Sequence, residues 1–164
     1  MERMARSVTG ESELGDGREE PIAEGNDRGC LDRLIEALAA RLRIPTEYRE
    51  LAIIVARYHG IVHRAFELSP QTVLEFLEKA DAFRRPERFI QVLLVCEADS
   101  RGRTGFEARA YPQLEYLRAA RDAAAAVKPS ATDIAQRDGA QIAAQMRLQR
   151  RRALEALRNR HPRA

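Results

Sequence analysis

His59 and His63 stand four residues apart in "ARYHGIVHR". In a helix that spacing puts both imidazoles on one face, about one turn apart. A carboxylate from a second element would complete a three-donor set for a divalent ion, and Asp99 in "CEADSRGRTGFE" is the candidate. Two histidines on an amphipathic helix also serve as core or surface residues. Neither an HExxH motif nor an adjacent His-Asp pair accompanies these two, and the third histidine, His161, lies near the C-terminus.

The stretch "EADSRGRTGFE", residues 97–107, raises a second possibility. A helix end attracts positive charge, because its last carbonyls form the negative pole of the dipole. Glu97 and Asp99 stand where the last turn should be. Either Arg101 or Arg103 folds back on them and closes the helix, or the two guanidinium groups, the Thr104 hydroxyl and loop backbone donors grasp a phosphate. A nucleotide-binding loop of the GK[ST] kind is excluded, since the glycines follow a helix and no such triplet is present.

The elements that must position these groups read as helices. "LDRLIEALAARLRI" repeats apolar residues at Leu31, Leu34, Ile35, Leu38 and Leu42, and Pro45 ends it. Thr46 is the expected cap of a second helix, with a core stripe of Tyr48, Leu51, Val55, Tyr58 and Val62. Ser69-Pro70 is an N-cap followed by proline at the first helical position. Pro86 repeats that start, and Gly102 offers a left-handed stop. Pro112 opens a further helix. After Pro129, a short helix, a turn at Asp138-Gly139 and a long basic helix follow. No segment alternates like a strand, so the expectation is an all-α, irregular bundle of six to seven helices. Residues 1–30, polar and glycine-rich, are expected to be mostly disordered; 31–128 form the bundle and 129–164 a basic tail.

The chain has 164 residues and a net charge of +3, which conceals an asymmetry. Residues 1–30 carry four arginines against eight acids, whereas 137–164 carry eight arginines against two. Lys79 and Lys128 are the only lysines, and arginine binds phosphate bidentately where lysine cannot. A basic tail suits a nucleic-acid partner, although a solvated helix face has the same composition. The tail also has the outline of a helix-turn-helix, but a basic surface tracking a phosphate backbone needs fewer assumptions. No stretch has the ~18 apolar residues of a membrane span, and the N-terminus lacks the apolar core of a signal peptide. Two cysteines, Cys30 and Cys96, are too few for a disulfide framework, so the cytoplasm is the expected location.

Two long stretches carry a family likeness. "LIEALAARLRIPTEYRELAIIVARYHGIVHRAFELSPQTVLEFLEKADAFRRPERF" and "CEADSRGRTGFEARAYPQLEYLRAA" together resemble the C-terminal part of bacterial multifunctional CCA-adding tRNA nucleotidyltransferases, which includes an HD-type phosphohydrolase domain. The likeness runs from about Leu34 to Leu157 and is densest over "AFRRPERF" and "EADSRGRTGFE". It implies a role in tRNA 3′-end maturation and a remainder of the HD domain over 31–128. The family's nucleotidyltransferase head and the adjacent His-Asp of its HD motif have no counterpart here. A further family histidine would fall at Asn26 or Asp27.

Residue by residue, the resemblance implies that His59, Asp99 and, less directly, His63 descend from a metal set that used Mg2+ or Ni2+; no cofactor is expected for this chain alone. It also implies that the tail from Asp133 grips tRNA, through Arg147, Arg150, Arg151 and Arg152; Arg101 and Arg103, by the phosphate-grasping chemistry of their loop, are expected as further RNA contacts. The expected function is tRNA binding without nucleotidyl transfer. Alternatives are a residual metal-dependent phosphohydrolase using His59, His63 and Asp99, or a module that self-associates or joins a separate head.

Overall fold

The computed structural model describes residues 28–131 and 138–161. Among them are six α-helices and no strand: α1 (Arg28–Leu42), α2 (Thr46–His63), α3 (Pro70–Lys79), α4 (Pro86–Arg101), α5 (Gln113–Ala125) and α6 (Gly139–Arg160), with a 3-10 turn at Ala65–Glu67. The all-α expectation is borne out. The segment expected to be disordered falls almost wholly outside the described residues, and so does most of the expected short helix before Asp138.

Local chemistry explains most of the boundaries. Ser69 Oγ accepts the Thr72 backbone N–H at 3.1 Å, with Pro70 at the first helical position. Pro86 opens α4 in the same position, but without a side-chain cap. Asp138 and Gln141 exchange bonds in a capping box that starts α6. Two expectations fail. Pro45, not Thr46, holds the cap position of α2, and no side chain caps that end. Gly102 ends α4 in right-handed geometry, its N–H donating to Ala98 O at 2.8 Å, so it is no left-handed stop.

The left-handed stops lie elsewhere. At the end of α3, Asp81 adopts φ 56°, with its N–H on Glu78 O and the Ala82 N–H on Leu77 O. Arg43 repeats the arrangement after α1 with φ 52°. Neither position is glycine. Asp81 is held by Arg84 at 3.4 Å and by Arg85 and Arg88 at 3.7 Å each. Arg85 and Arg88 also reach Glu50 on α2, at 2.8 and 2.9 Å. The arginines of "RRPER" therefore tie the α3–α4 corner to α2.

The core gathers Val62 from α2, Leu74, Phe76 and Leu77 from α3, Phe89, Leu93 and Cys96 from α4, Leu117 and Ala120 from α5, and Leu154 and Leu157 from α6. Phe76 sits between Tyr58 and Phe89, with ring centroids 5.6 and 5.7 Å away. Helix α2 packs between α1 and α4, while α6 lies against α3 and α5. The stripe expected on α1 is not part of this core. Leu31, Leu34, Leu38 and Leu42 are exposed, Leu34 by 67%, as is Tyr48 at the start of α2. Helix α1 meets α2 through its other edge, where Ala39 is buried and Asp32 pairs with Arg57. Periodicity identified the apolar face correctly, but nothing among the described residues covers it.

Candidate functional site

His63, in the last turn of α2, is the node of a polar cluster joining three elements. Its Nε2 lies 3.2 Å from Asp99 Oδ2 on α4, and its Nδ1 lies 2.9 Å from the hydroxyl of Tyr111, just before α5. A carboxylate only accepts, so Nε2 carries the proton; in the neutral ring Nδ1 then accepts from the tyrosine. Gln113 Nε2 donates to the His63 carbonyl at 3.3 Å, tying α5 to the same turn. Burial, aided by the charges around it, pushes the Tyr111 hydroxyl above its ordinary range, so it remains a donor.

His59 takes a different part. Its ring lies 6.0 Å from that of His63, as the four-residue spacing requires, but its Nδ1 faces the Val55 and Ala56 carbonyls of its own helix at 3.2 and 3.3 Å. His63, rather than His59, meets Asp99. No group of three His, Cys, Asp or Glu able to hold a metal ion is found among the described residues. A hydrolytic metal needs more donors than the His63–Asp99 pair supplies, and these two already bond to each other.

The acids at the end of α4 now have their explanation. Glu97 pairs with Arg101 at 2.9 Å, one turn on, while Asp99 holds His63. Glu107 Oε1 accepts the Gly105 N–H at 3.1 Å, and hydrogen bonds from the backbone of Glu107 itself and then of Gly105 hold its carboxyl below the ordinary glutamate value. That turn requires φ 87° at Gly105, a conformation glycine adopts without strain. Arg101 also donates from Nε to the Arg109 carbonyl at 3.3 Å.

The arginines expected to meet RNA divide into two sets. Arg147 reaches Glu78 at 3.1 Å and Glu75 at 3.9 Å on α3. Arg150 lays its guanidinium 4.3 Å above the centre of the Phe83 ring. Together with Arg101, these three have partners within the chain. Arg103, Arg151 and Arg152 are exposed, with no ion pair among the described residues. Sequence reasoning missed Tyr111, Gln113 and Arg109. Their one local signal was Pro112, which marks a helix start and brings its neighbours to the end of α2.

Cys96, buried below this cluster, has its thiol pushed from 9.0 to about 12, foremost by burial and secondly by the charge of Asp99. Cys30 is exposed. No helix among the described residues is long and apolar enough to cross a membrane.

Comparison with known proteins gives consistent relatives. The multifunctional CCA protein of Thioalkalivibrio sulfidiphilus is 61% identical over 100 residues, which are 61% of this chain and 24% of that protein. That of Nitrosococcus oceani is 52% identical over 122 residues, 74% of this chain and 30% of the relative. That of Pseudomonas fluorescens is 40% identical over 153 residues, 91% of this chain and 37% of the relative, so the similarity reaches into the first thirty residues. No family model matches the sequence, and no solved structure does. The likeness to multifunctional CCA proteins is borne out, and this chain spans between 24% and 37% of the length of these relatives.

Proposed function

We infer that this chain, similar as it is to part of the multifunctional CCA proteins, holds tRNA during 3′-end maturation, while nucleotide addition resides outside these residues. The observation that carries the reading is the 40% identity sustained over 91% of the chain. The charge distribution supports it: Arg151 and Arg152 on α6 and Arg103 after α4 present exposed guanidinium groups that pair with no acid among the described residues. Such groups follow a folded RNA by its backbone and shape.

Titration of the chain with tRNA across a salt series tests this. Each phosphate neutralised contributes about −0.7 to −0.9 to the slope of log K against log salt, so three arginines give roughly −2 to −3. A flat dependence overturns the reading. Incubation with CTP, ATP and trimmed tRNA is expected to leave the RNA unextended; extension by the chain alone would place the chemistry within it.

The bare face of α1 favours a second reading, that the chain works as part of a larger assembly. Leu31, Leu34, Leu38 and Leu42 form one exposed stripe, and relatives several times longer have chain to spare for covering it. Either a head-bearing partner or a second copy meets that need. Sedimentation over a range of concentrations distinguishes them: a concentration-dependent dimer abolished by Leu34→Glu identifies the second copy. A strict monomer leaves the head-bearing partner.

A further inference from the structure

The leucine face of α1 is bare along the length of the helix, and its make-up bears on what can cover it. Leu31, Leu34, Leu38 and Leu42 follow one another at steps of three and four residues, so they share a strip one helix wide. Their exposure runs from 41% to 67%, while another edge of α1, at Ala39 and Asp32, is already engaged with α2. Ile44 and Tyr48, at the turn into α2, add further exposed apolar surface.

No charged side chain interrupts the strip. At helical spacing Arg33 and Glu36 fall on other faces, and one rim is formed by Cys30, Ala37 and Arg41, all exposed. A face without charge offers a dissimilar partner no polar group by which to be recognised, because complementary charges are what fix register and exclude wrong partners. A second copy needs no such group, since a two-fold interface brings one patch against itself. Steps of three and four are also the spacing at which paired helices interlock their side chains. Ala37 keeps the rim low between Cys30 and Arg41, which lets two such helices approach closely.

We propose that the leucine face of α1 is the interface of a homodimer, in which two α1 helices pack antiparallel with Leu31 of each copy against Leu42 of the other. This rests on the reading of the chain as part of a larger assembly, and names the partner. Pairing 31 with 42 sets Leu34 and Leu38 at the centre of the contact. The antiparallel sense opposes the two helix dipoles and separates the two Arg41 side chains, which a parallel pair would bring together. Burying both faces removes on the order of 1,000 Å² from water, about what a specific interface must clear.

Analytical ultracentrifugation of the full chain should show a monomer–dimer equilibrium with a dissociation constant of about 1–10 μM, the weak end for interfaces of this kind. Leu34→Glu/Leu38→Glu should weaken it at least roughly a hundredfold, because two apolar anchors per copy become charges. Leu94→Glu, at an exposed leucine of α4, should leave it unchanged. All three positions are exposed, and circular dichroism checks that each variant folds. Cys30 and Arg41 share one rim of α1, so the antiparallel pair brings Cys30 of one copy toward position 41 of the other. A short bis-maleimide should therefore link the Arg41→Cys dimer and leave the wild type unlinked, its two Cys30 thiols standing roughly 20 Å apart along the helices. A chain that stays monomeric at about 0.1 mM overturns the proposal, a hundredfold excess over the tightest expected constant being ample. So does a dimer indifferent to the glutamate pair, or one that the reagent links in the wild type. The monomeric outcomes separate the proposal from the reading beneath it. Binding of the apolar dye ANS, lost in the double variant, leaves the face to a head-bearing partner, whereas no ANS binding removes the assembly reading as well.

Discussion

His63 and Tyr111, 48 residues apart in sequence, meet at 2.9 Å between Nδ1 and the phenolic oxygen, and this bond locks the end of α2 to the start of α5. Tyr111 is only 8% exposed, so its hydroxyl has little access to water. His63→Ala should therefore cost about 1–3 kcal/mol, chiefly by leaving a buried donor unpaired. Tyr111→Phe removes that donor and should cost about 0.5–1.5 kcal/mol. In the Tyr111→Phe background the further loss on His63→Ala should shrink, a coupling that urea denaturation of the four species measures. Equal losses in the two backgrounds would mean that the pair does not act as described.

Stability should decline in alkali. The folded chain holds the Cys96 proton up to about pH 12, against 9.0 for a free thiol, so above pH 9 the unfolded chain releases a proton that the native chain keeps. Tyr111 and Tyr116, both raised foremost by burial, act in the same sense above 10.0. The contribution is fully present below pH 9 and is lost as pH rises toward 12. Urea midpoints measured from pH 7 to 11 should fall beyond pH 9, and Cys96→Ala should flatten the first part of that fall. A thiol-reactive dye at pH 8 should label Cys30 rapidly and Cys96 only after denaturation.

Arg43 occupies a left-handed position at φ 52° with its side chain exposed. A residue with a Cβ pays about 1 kcal/mol there, which glycine avoids. Arg43→Gly should thus raise stability by about 0.5–1 kcal/mol, visible as a higher thermal midpoint. The corresponding change at Asp81 should lower it, because that side chain also holds Arg84, Arg85 and Arg88. A stabilising Asp81→Gly would show those ion pairs to be without consequence.

The parts of the fold legible in the sequence are those that local chemistry decides. Ser69-Pro70, Pro86 and Asp138 mark helix starts through bonds or ring geometry reaching only three or four residues, and each stands where expected. Gly102 was misread because glycine permits a left-handed end without requiring one; the chain turns left-handed at Arg43 and Asp81 instead. The α1 leucines form the helical stripe their spacing indicates, yet they stay outside the core for a different reason. A hydrophobic stripe reports which face wants burial and is silent on whether a neighbour exists. At the site, the four-residue spacing fixed the relation of His59 to His63. The choice of His63 as partner of Asp99, and the arrival of Tyr111, depend on how α2, α4 and α5 pack, which no local pattern encodes.

The tail arginines should separate stability from RNA affinity. Arg150 stacks on Phe83 and Arg147 bridges to Glu75 and Glu78, so both help to seat α6 on the body. Arg150→Ala should lower stability by about 0.5–2 kcal/mol, the range of a partly desolvated cation–π contact. Arg147→Ala should cost less than about 1 kcal/mol, because that pair is half-exposed and solvent-screened. Arg152, exposed and without an ion pair among the described residues, should leave the thermal midpoint unchanged when replaced by alanine. Its loss should instead weaken tRNA binding and flatten the salt slope by about 0.7–0.9, the share of one phosphate contact. If Arg152→Ala leaves both affinity and slope intact, while Arg147→Ala abolishes binding without altering stability, the RNA lies on the α3-facing side of α6 and the division into inward and outward arginines is wrong.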